Sequence, residues 1–286
     1  MKATTGTDMG KEVMMMTDCR TKIVFSDIDG TLLTSQHKVT CQSKAAVQKL
    51  VQKDIPFVLV SARMPAAIYP ITDELDVKMP IISYSGALVL DREGRTLAST
   101  KMEEKPTRQL LQELAEKFPQ ITANFYTDNK WYVKDRTDKR VQREMDITSA
   151  TAENADFAKL LDEGIYPHKI LLMAEPEDCV AAENYFRENY PAFQVVRSSS
   201  ILLEIMSGCV SKAGGIAVLL KHYGLTVEEA LSFGDSYNDI PMLEYTGQSV
   251  AMGNAPDVVK EAAKDVTLTS DEDGISAYLN GYFERF

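Results

Sequence analysis

An α/β fold, a helix-covered parallel sheet interrupted by an inserted α+β domain, is predicted by three features of this sequence. Short apolar runs of the buried-strand kind alternate with helical stretches at both ends of the chain. In the middle third, strand-like runs outnumber helices and lie close enough to pair antiparallel. The composition is that of a folded chain: 286 residues, 44% hydrophobic and 26% charged. This length suits one large domain or two modest ones, and it buries a core without disulfides or structural metals.

Residues 1–20 lack apolar periodicity and are expected to form a disordered extension. Ile23-Val24-Phe25 then reads as a buried strand ending at Asp27. Thr40 can cap a helix whose apolar positions are Ala45, Ala46, Val47, Leu50 and Val51. Pro56 opens a second strand, 57–60, ending at Ser61; a helix follows from Pro65, and Pro80 opens a third strand. This β-α-β-α-β order predicts a Rossmann-like core. A hairpin about Gly94 comes next, then helices near 107–118, 152–163 and 177–189 among strands near 121–126, 131–133, 169–173, 193–197 and 201–206. The alternating pattern resumes with a helix at 211–223, a strand at 230–233 ending in Gly234-Asp235, a helix from Ile240, short strands near 249–252 and 266–268, and an amphipathic helix at 274–283. The expected boundaries are a core of 21–87 and 200–286, split by an insertion of 88–199.

A net charge of −11 repels nucleic acid and anionic membrane surfaces, so neither is an expected partner. It also repels phosphorylated metabolites, so an enzyme acting on them needs concentrated local positive charge. Cys19, Cys41, Cys179 and Cys209 are too far apart for a CxxC motif and read as ordinary thiols of a reducing compartment. The apolar run 13–16 is too short for a secretion signal or a membrane span, and the protein is expected in the cytoplasm. The sequence does not specify an oligomeric state.

In an open parallel sheet, ligands gather at the carboxyl ends of the strands. The polar residues at predicted strand ends are Asp27, Ser61 and Asp235. Asp27 lies in Ser26-Asp27-Ile28-Asp29-Gly30-Thr31, and Asp235 in Gly234-Asp235-Ser236-Tyr237-Asn238-Asp239. Either cluster alone could be a turn with caps. Together, carboxylates crowded at one sheet edge repel each other, and a cation resolves that repulsion; all-oxygen ligation suits Mg²⁺. Lys212, in the first turn of a predicted helix, stands where the helix dipole disfavours a cation, so function explains it better than solvation does.

The DxDGT element, Ser61, the Ser211-Lys212 pair and the GDxxND element resemble, in order and spacing, the four motifs of the haloacid dehalogenase-like superfamily. The insertion, the Leu203-Glu204-Ile205 approach to Lys212 and the later Met252-Gly253-Asn254-Ala255 and Asp273-Gly274 are similar to Cof-type phosphatases with a C2B cap. The resemblance implies Asp27 as nucleophile, forming an aspartyl-phosphate, and Asp29 as general acid and then base. It implies Mg²⁺ on the Asp27 and Asp235 carboxylates and the Asp29 backbone carbonyl, with Asp239 orienting metal-bound water or Lys212. Ser61, the Ala62 N–H, Lys212 and Asn238 would grip the phosphoryl oxygens. The expected activity is Mg²⁺-dependent hydrolysis of small phosphorylated metabolites, sugar phosphates foremost. The rivals are a phosphosugar mutase using the same intermediate and a non-catalytic phosphometabolite sensor.

Three positions depart from the family pattern: Ser61 for a frequent Thr, Ser85 for a frequent Asn and Ala213 for a common Gly. For reading the leaving group, 131–136 with Lys139, Arg140 and Arg143 offer an aromatic beside basic residues, although an ordinary packed Trp and a solvated basic helix face fit as well. His37, His168 and His222 have no evident partner and read as structural or exposed.

Overall fold

The computed structural model describes residues 21–284; the expected extension 1–20 lies outside them. The chain first builds β1 (Ile23–Asp27), α1 (Cys41–Gln52), β2 (Phe57–Val60), α2 (Pro65–Leu75), β3 (Ile81–Ser83) and the hairpin β4 (Leu88–Leu90) and β5 (Thr96–Ser99). The inserted unit follows as α3 (Glu104–Lys117), β6 (Thr122–Thr127), β7 (Lys130–Val133), α4 (Lys139–Thr148), β8 (Glu153–Asn154), α5 (Phe157–Asp162), β9 (Lys169–Met173), α6 (Pro176–Asn189), β10 (Phe193–Ser199) and β11 (Leu202–Ser207). The chain then returns through α7 (Lys212–Tyr223), β12 (Ala230–Gly234), α8 (Ile240–Tyr245), β13 (Gln248–Ala251), α9 (Asp257–Ala262), β14 (Asp265–Val266) and α10 (Gly274–Glu284). Among the described residues, no helix is long and apolar enough to cross a membrane.

The core sheet runs β14-β13-β12-β1-β2-β3-β4-β5, with β14 through β3 parallel. The chain leaves β1 toward β2 and comes back on its other side at β12, which makes the β1–β12 crevice the topological switch point. All five residues of β1 are buried. Val24 packs in the layer of α1, α2 and α10, while Ile23 and Phe25 pack in the layer of α7 and α8. That two-sided burial is why the strand reads as an unbroken apolar run. The predicted cap holds: Thr40 Oγ1 accepts from the Ser43 N–H at 3.0 Å.

The insertion is displaced from its expected limits of 88 and 199. β4 and β5 continue the core sheet beyond β3, because Leu88 and Leu90 share its buried cluster. β11 pairs with β9 and β10 in the second sheet, ordered β10-β11-β9-β6-β7-β8. By sheet membership the inserted unit spans about 100–208. The helix expected at 152–163 is also divided. Glu153 and Asn154 pair with β7, and only α5 is helical, capped by Asp156 accepting from the Ala158 N–H at 2.9 Å. Helix α4 carries the solvated basic face weighed for Lys139, Arg140 and Arg143; its surface is so polar, with Val141 its one fully buried residue, that no apolar period marks its bounds.

The inserted sheet has two different faces. Phe125, Ile170, Leu172, Leu203 and Ile205 point into a cluster with α3, α5 and α6. The alternate residues Tyr126, Leu171 and Met173 join the core domain's own cluster with Tyr84 and Leu88. His168, fully buried, fastens this seam. The Asp128 N–H donates to its Nδ1 at 3.0 Å, so the ring proton sits on Nε2, 2.9 Å from Ser99 Oγ. The ring stacks on Tyr84 at 5.2 Å, and the Tyr84 hydroxyl donates to the Asp128 carbonyl at 2.9 Å.

Burial lowers the His168 pKa from 6.5 to about 4, with Asp128 opposing and Lys101 assisting. The unfolded chain binds more protons than the fold between these values. Its contribution is therefore complete above pH 6.5 and is lost as pH falls toward 4. Between pH 7.5 and 5 it amounts to about 2 kcal/mol. Urea titrations of wild type and His168→Gln at the two pH values should differ by that increment; parallel pH dependence would contradict it.

Candidate active site

Strand order gathers the three sequence clusters. β12, β1 and β2 are neighbours in register, Ser26 opposite Phe233 and Asp27 opposite Val60. Asp27 thus ends the middle strand, with Asp235 just past one neighbour and Ser61 just past the other. Asp27, Asp235 and Asp239 each present a carboxylate oxygen, and the three lie within 4.8 Å of one another.

Lys212 enters this cluster from the first turn of α7, with its side chain only 1% exposed. Its Nζ donates to Asp27 Oδ1 and Asp239 Oδ1, each at 2.5 Å. Burial opposes its charge, but Asp239 and Asp27 outweigh that and hold the ammonium above its usual range. Asp27 is raised well above the carboxylate range by burial; Lys212 pulls it down, and Asp239 and Asp235 push it further up. Asp27 Oδ2 makes no hydrogen bond among the described residues.

Asp235 Oδ1 accepts from Thr31 Oγ1 at 2.8 Å, and Oδ2 from Asn254 Nδ2 at 3.3 Å. Burial pushes Asp235 up to about 6; the Thr31 hydroxyl opposes this and Asp239 adds to it. Asp239, fully buried, spends Oδ1 on Lys212 and Oδ2 on the Asp235 and Ser236 N–H groups at 3.0 and 2.8 Å. Gly30 makes the close approach possible. Its φ is +78°, and a Cβ there would lie 2.3 Å from Asp235 Oδ2.

Three buried or half-buried carboxylates crowded about one ammonium are a demand for positive charge, which a divalent ion would meet. The donor set is all oxygen, as Mg²⁺ prefers. The lightly held Asp235 Oδ2 is free to ligate it and Asp27 brings a second carboxylate to the same edge, so the residues fit this ion.

The other expected site residues are placed as follows. The Asp29 carboxylate is outside the cluster, 46% exposed, and takes two bonds from Arg63, Nε at 2.9 Å and Nη2 at 2.6 Å. His37 Nδ1 stands 3.8 Å from it. Ser61 is buried, its Oγ accepting from the Arg63 N–H at 3.2 Å. The Ala62 N–H donates to no group among the described residues, while the Ala62 carbonyl accepts from Lys169 Nζ of the inserted unit at 2.7 Å. Asn238 is exposed in the short turn Tyr237–Asp239.

Two members of the aromatic-basic stretch are engaged within the inserted unit. Trp131 lies opposite Tyr126 on the inner sheet face, buried in the cluster shared with the core and stacked on Tyr126, with its Nε1–H on Asn124 Oδ1 at 3.0 Å; Arg140 pairs with Glu175. The same inner face carries Tyr126, Lys169 and Glu204, and Glu144 of α4 lies within electrostatic range of Lys169 and Arg63. Sequence reading named Glu204 only within the Leu203-Glu204-Ile205 motif and singled out none of the others, nor Arg63. The signal was available in β9, where Lys169 shares its face with Leu171 and Met173.

The profile of the haloacid dehalogenase-like hydrolases matches residues 24–279. A Haemophilus influenzae relative is 35% identical over 262 residues, covering 92% of this chain and 98% of its own. The Bacillus subtilis 5-amino-6-(5-phospho-D-ribitylamino)uracil phosphatase YitU is 26% identical, covering 91% of this chain and 97% of its own. A solved haloacid dehalogenase-like hydrolase from Bacteroides thetaiotaomicron, 27% identical, superposes with a TM-score of 0.84 over 92% of this chain and all of its own. With a matching profile across nearly the whole described chain and the acidic cluster at the switch point, this chain belongs to the haloacid dehalogenase-like hydrolase family, in its Cof-type branch.

Proposed function

We propose that this enzyme is a Mg²⁺-dependent phosphatase that hydrolyses small phosphorylated metabolites, sugar phosphates foremost, through an aspartyl-phosphate on Asp27. The observation that carries this reading is the buried Lys212 held between Asp27 and Asp239 beside Asp235. It supplies the local positive charge that a chain of net charge −11 needs in order to admit phosphate.

Lys212 fixes Asp27 Oδ1, which leaves Oδ2 to attack phosphorus as the ester P–O bond breaks. The Asp29 carboxyl, keeping one bond to Arg63, takes a proton from solvent on its other oxygen, gives it to the departing alkoxide, and in the second half takes a proton from the water that attacks the phosphoenzyme. Ser61 Oγ, the unengaged Ala62 N–H, Lys212 and Asn238 hold the phosphoryl oxygens. Asp239 orients Lys212 and, with both oxygens occupied, stays outside the metal's ligands. Mg²⁺, held by the Asp27 and Asp235 carboxylates and the Asp29 backbone carbonyl, would offset the repulsion between an anionic nucleophile and an anionic phosphate. A relative named for a ribityl phosphate supports a polyhydroxylated substrate.

Phosphate release from a panel of sugar, nucleotide and cofactor monophosphates tests this reading. Free phosphate should appear without a bisphosphate activator, which a mutase would require. EDTA should silence release and added Mg²⁺ restore it. Activity indifferent to chelation would remove the metal from the mechanism.

A further inference from the structure

We propose that Glu144 and Glu204, together with Lys169, read the leaving group and select a neutral polyhydroxylated one over one bearing a second phosphate. This rests on the phosphatase reading above and names what its cap accepts.

Register places the three groups. Lys169 lies opposite Tyr126 on one side and Met206 on the other, and Glu204 opposite Leu171, all on the inner face of the inserted sheet. Lys169 and Glu204 are nearly buried, with Nζ 3.5 Å from Glu204 Oε2 and 5.3 Å from the Tyr126 ring centroid. The same Nζ reaches across the seam to the Ala62 carbonyl. This sets the group against the loop whose Ser61 and Ala62 hold phosphate in the reading above and whose Arg63 holds Asp29. Glu144, half-buried on α4, lies within electrostatic range of Lys169, Arg63 and Glu204, and its carboxyl makes no hydrogen bond or ion pair among the described residues.

The charge inventory decides the ligand. Two carboxylates stand near one ammonium at this seam, and the other nearby cations are committed or outside: Arg63 is on Asp29, and Arg143 is exposed. Carboxylates accept hydrogen bonds, and sugar or alditol hydroxyls donate them. One ammonium, already shared with a carbonyl and a carboxylate, can take a hydroxyl oxygen as acceptor but cannot neutralise a second phosphate beside two acids. Like charges brought face to face there discriminate strongly against the wrong ligand. Lys169 keeps its bond to the Ala62 carbonyl while it takes substrate with its third N–H, which couples recognition of the leaving group to the phosphate loop.

The experiment compares kcat/KM for glucose 6-phosphate and glucose 1,6-bisphosphate, substrates that differ by one phosphate. Wild type should prefer the monophosphate. Glu144→Gln and Glu204→Gln, singly and combined, should shift the ratio toward the bisphosphate, the double variant by about tenfold or more. Lys169→Gln should shift it the opposite way. A merely structural role would lower both substrates together and leave the ratio unmoved, and that result overturns the proposal, as does a wild-type preference for the bisphosphate. Acetyl phosphate, whose leaving group has no hydroxyl, separates the two readings. Its hydrolysis without that of glucose 6-phosphate defeats the selection for hydroxyls alone; hydrolysis of neither defeats the phosphatase reading with it.

Discussion

Replacing Asp27 with Asn is expected to abolish phosphate release while leaving the fold in place. The amide cannot form an acyl phosphate, so kcat should fall by about 10⁴-fold or more, the scale on which loss of a nucleophile is felt. Stability should change little, because burial already pushes this carboxyl toward its neutral form. The Asn carbonyl oxygen can still accept from Lys212, whose remaining carboxylate partner is Asp239. Removing one of three crowded acids relieves repulsion as it removes one ion pair, so the unfolding free energy should stay within about 1 kcal/mol of wild type. Borohydride trapping of wild type during turnover should convert Asp27 to homoserine, read by peptide mass spectrometry, and Asp27→Asn should show no such product. Substantial turnover by the folded variant, or trapping at another residue, would displace Asp27 from its role.

The part of this site legible in the sequence was the part carried by short motifs at strand ends. β1 could be read because its residues are buried on both faces, and Asp27, Ser61 and Asp235 because a polar residue ending such a run falls on the ligand edge of a parallel sheet. That the three become neighbours follows from strand order, which alternation alone does not give. Asp29 shows the limit. Its place two residues after Asp27 suggested a shared cluster, yet one turn of backbone carries its carboxylate outward to Arg63, a partner 34 positions away that no local pattern marks. The hairpin β4–β5 was visible as a hairpin, but its sheet was not, because either sheet could have used Leu88 and Leu90. The bounds of helix α4 were hidden by its charge, although a solvated basic helix face was one reading of Lys139, Arg140 and Arg143. Lys169 and Glu204 lie within otherwise apolar strands, and the period of two placed each on one face without saying that this face met the core.

Replacing Lys212 with Met should be the most damaging single change to the fold and should also eliminate turnover. A cation in the first turn of a helix is opposed by the helix dipole, and burial opposes it again. Its presence there is explained by the 2.5 Å contacts to Asp27 and Asp239, which keep it charged well past neutral pH. A methionine of similar length leaves both carboxylates buried without a counter-charge, a loss of about 3–5 kcal/mol for breaking a buried pair. The pH dependence identifies the cause. Asp27, raised by burial and without Lys212 to pull it down, binds a proton more readily in the fold than in the unfolded chain, so stability falls as pH rises and recovers as pH falls toward the ordinary carboxylate range. Each group that protonates only in the fold returns about 1.4 kcal/mol per pH unit. Urea titrations should therefore show the variant gaining on wild type between pH 7.5 and 5.5, and adding Asp239→Asn should recover part of the loss at pH 7.5. If Lys212→Met were as stable as wild type at pH 7.5, or equally weakened at both pH values, the ammonium would not be balancing these acids. The charge logic of the pocket, and the route by which an acidic protein admits phosphate, would then need another basis.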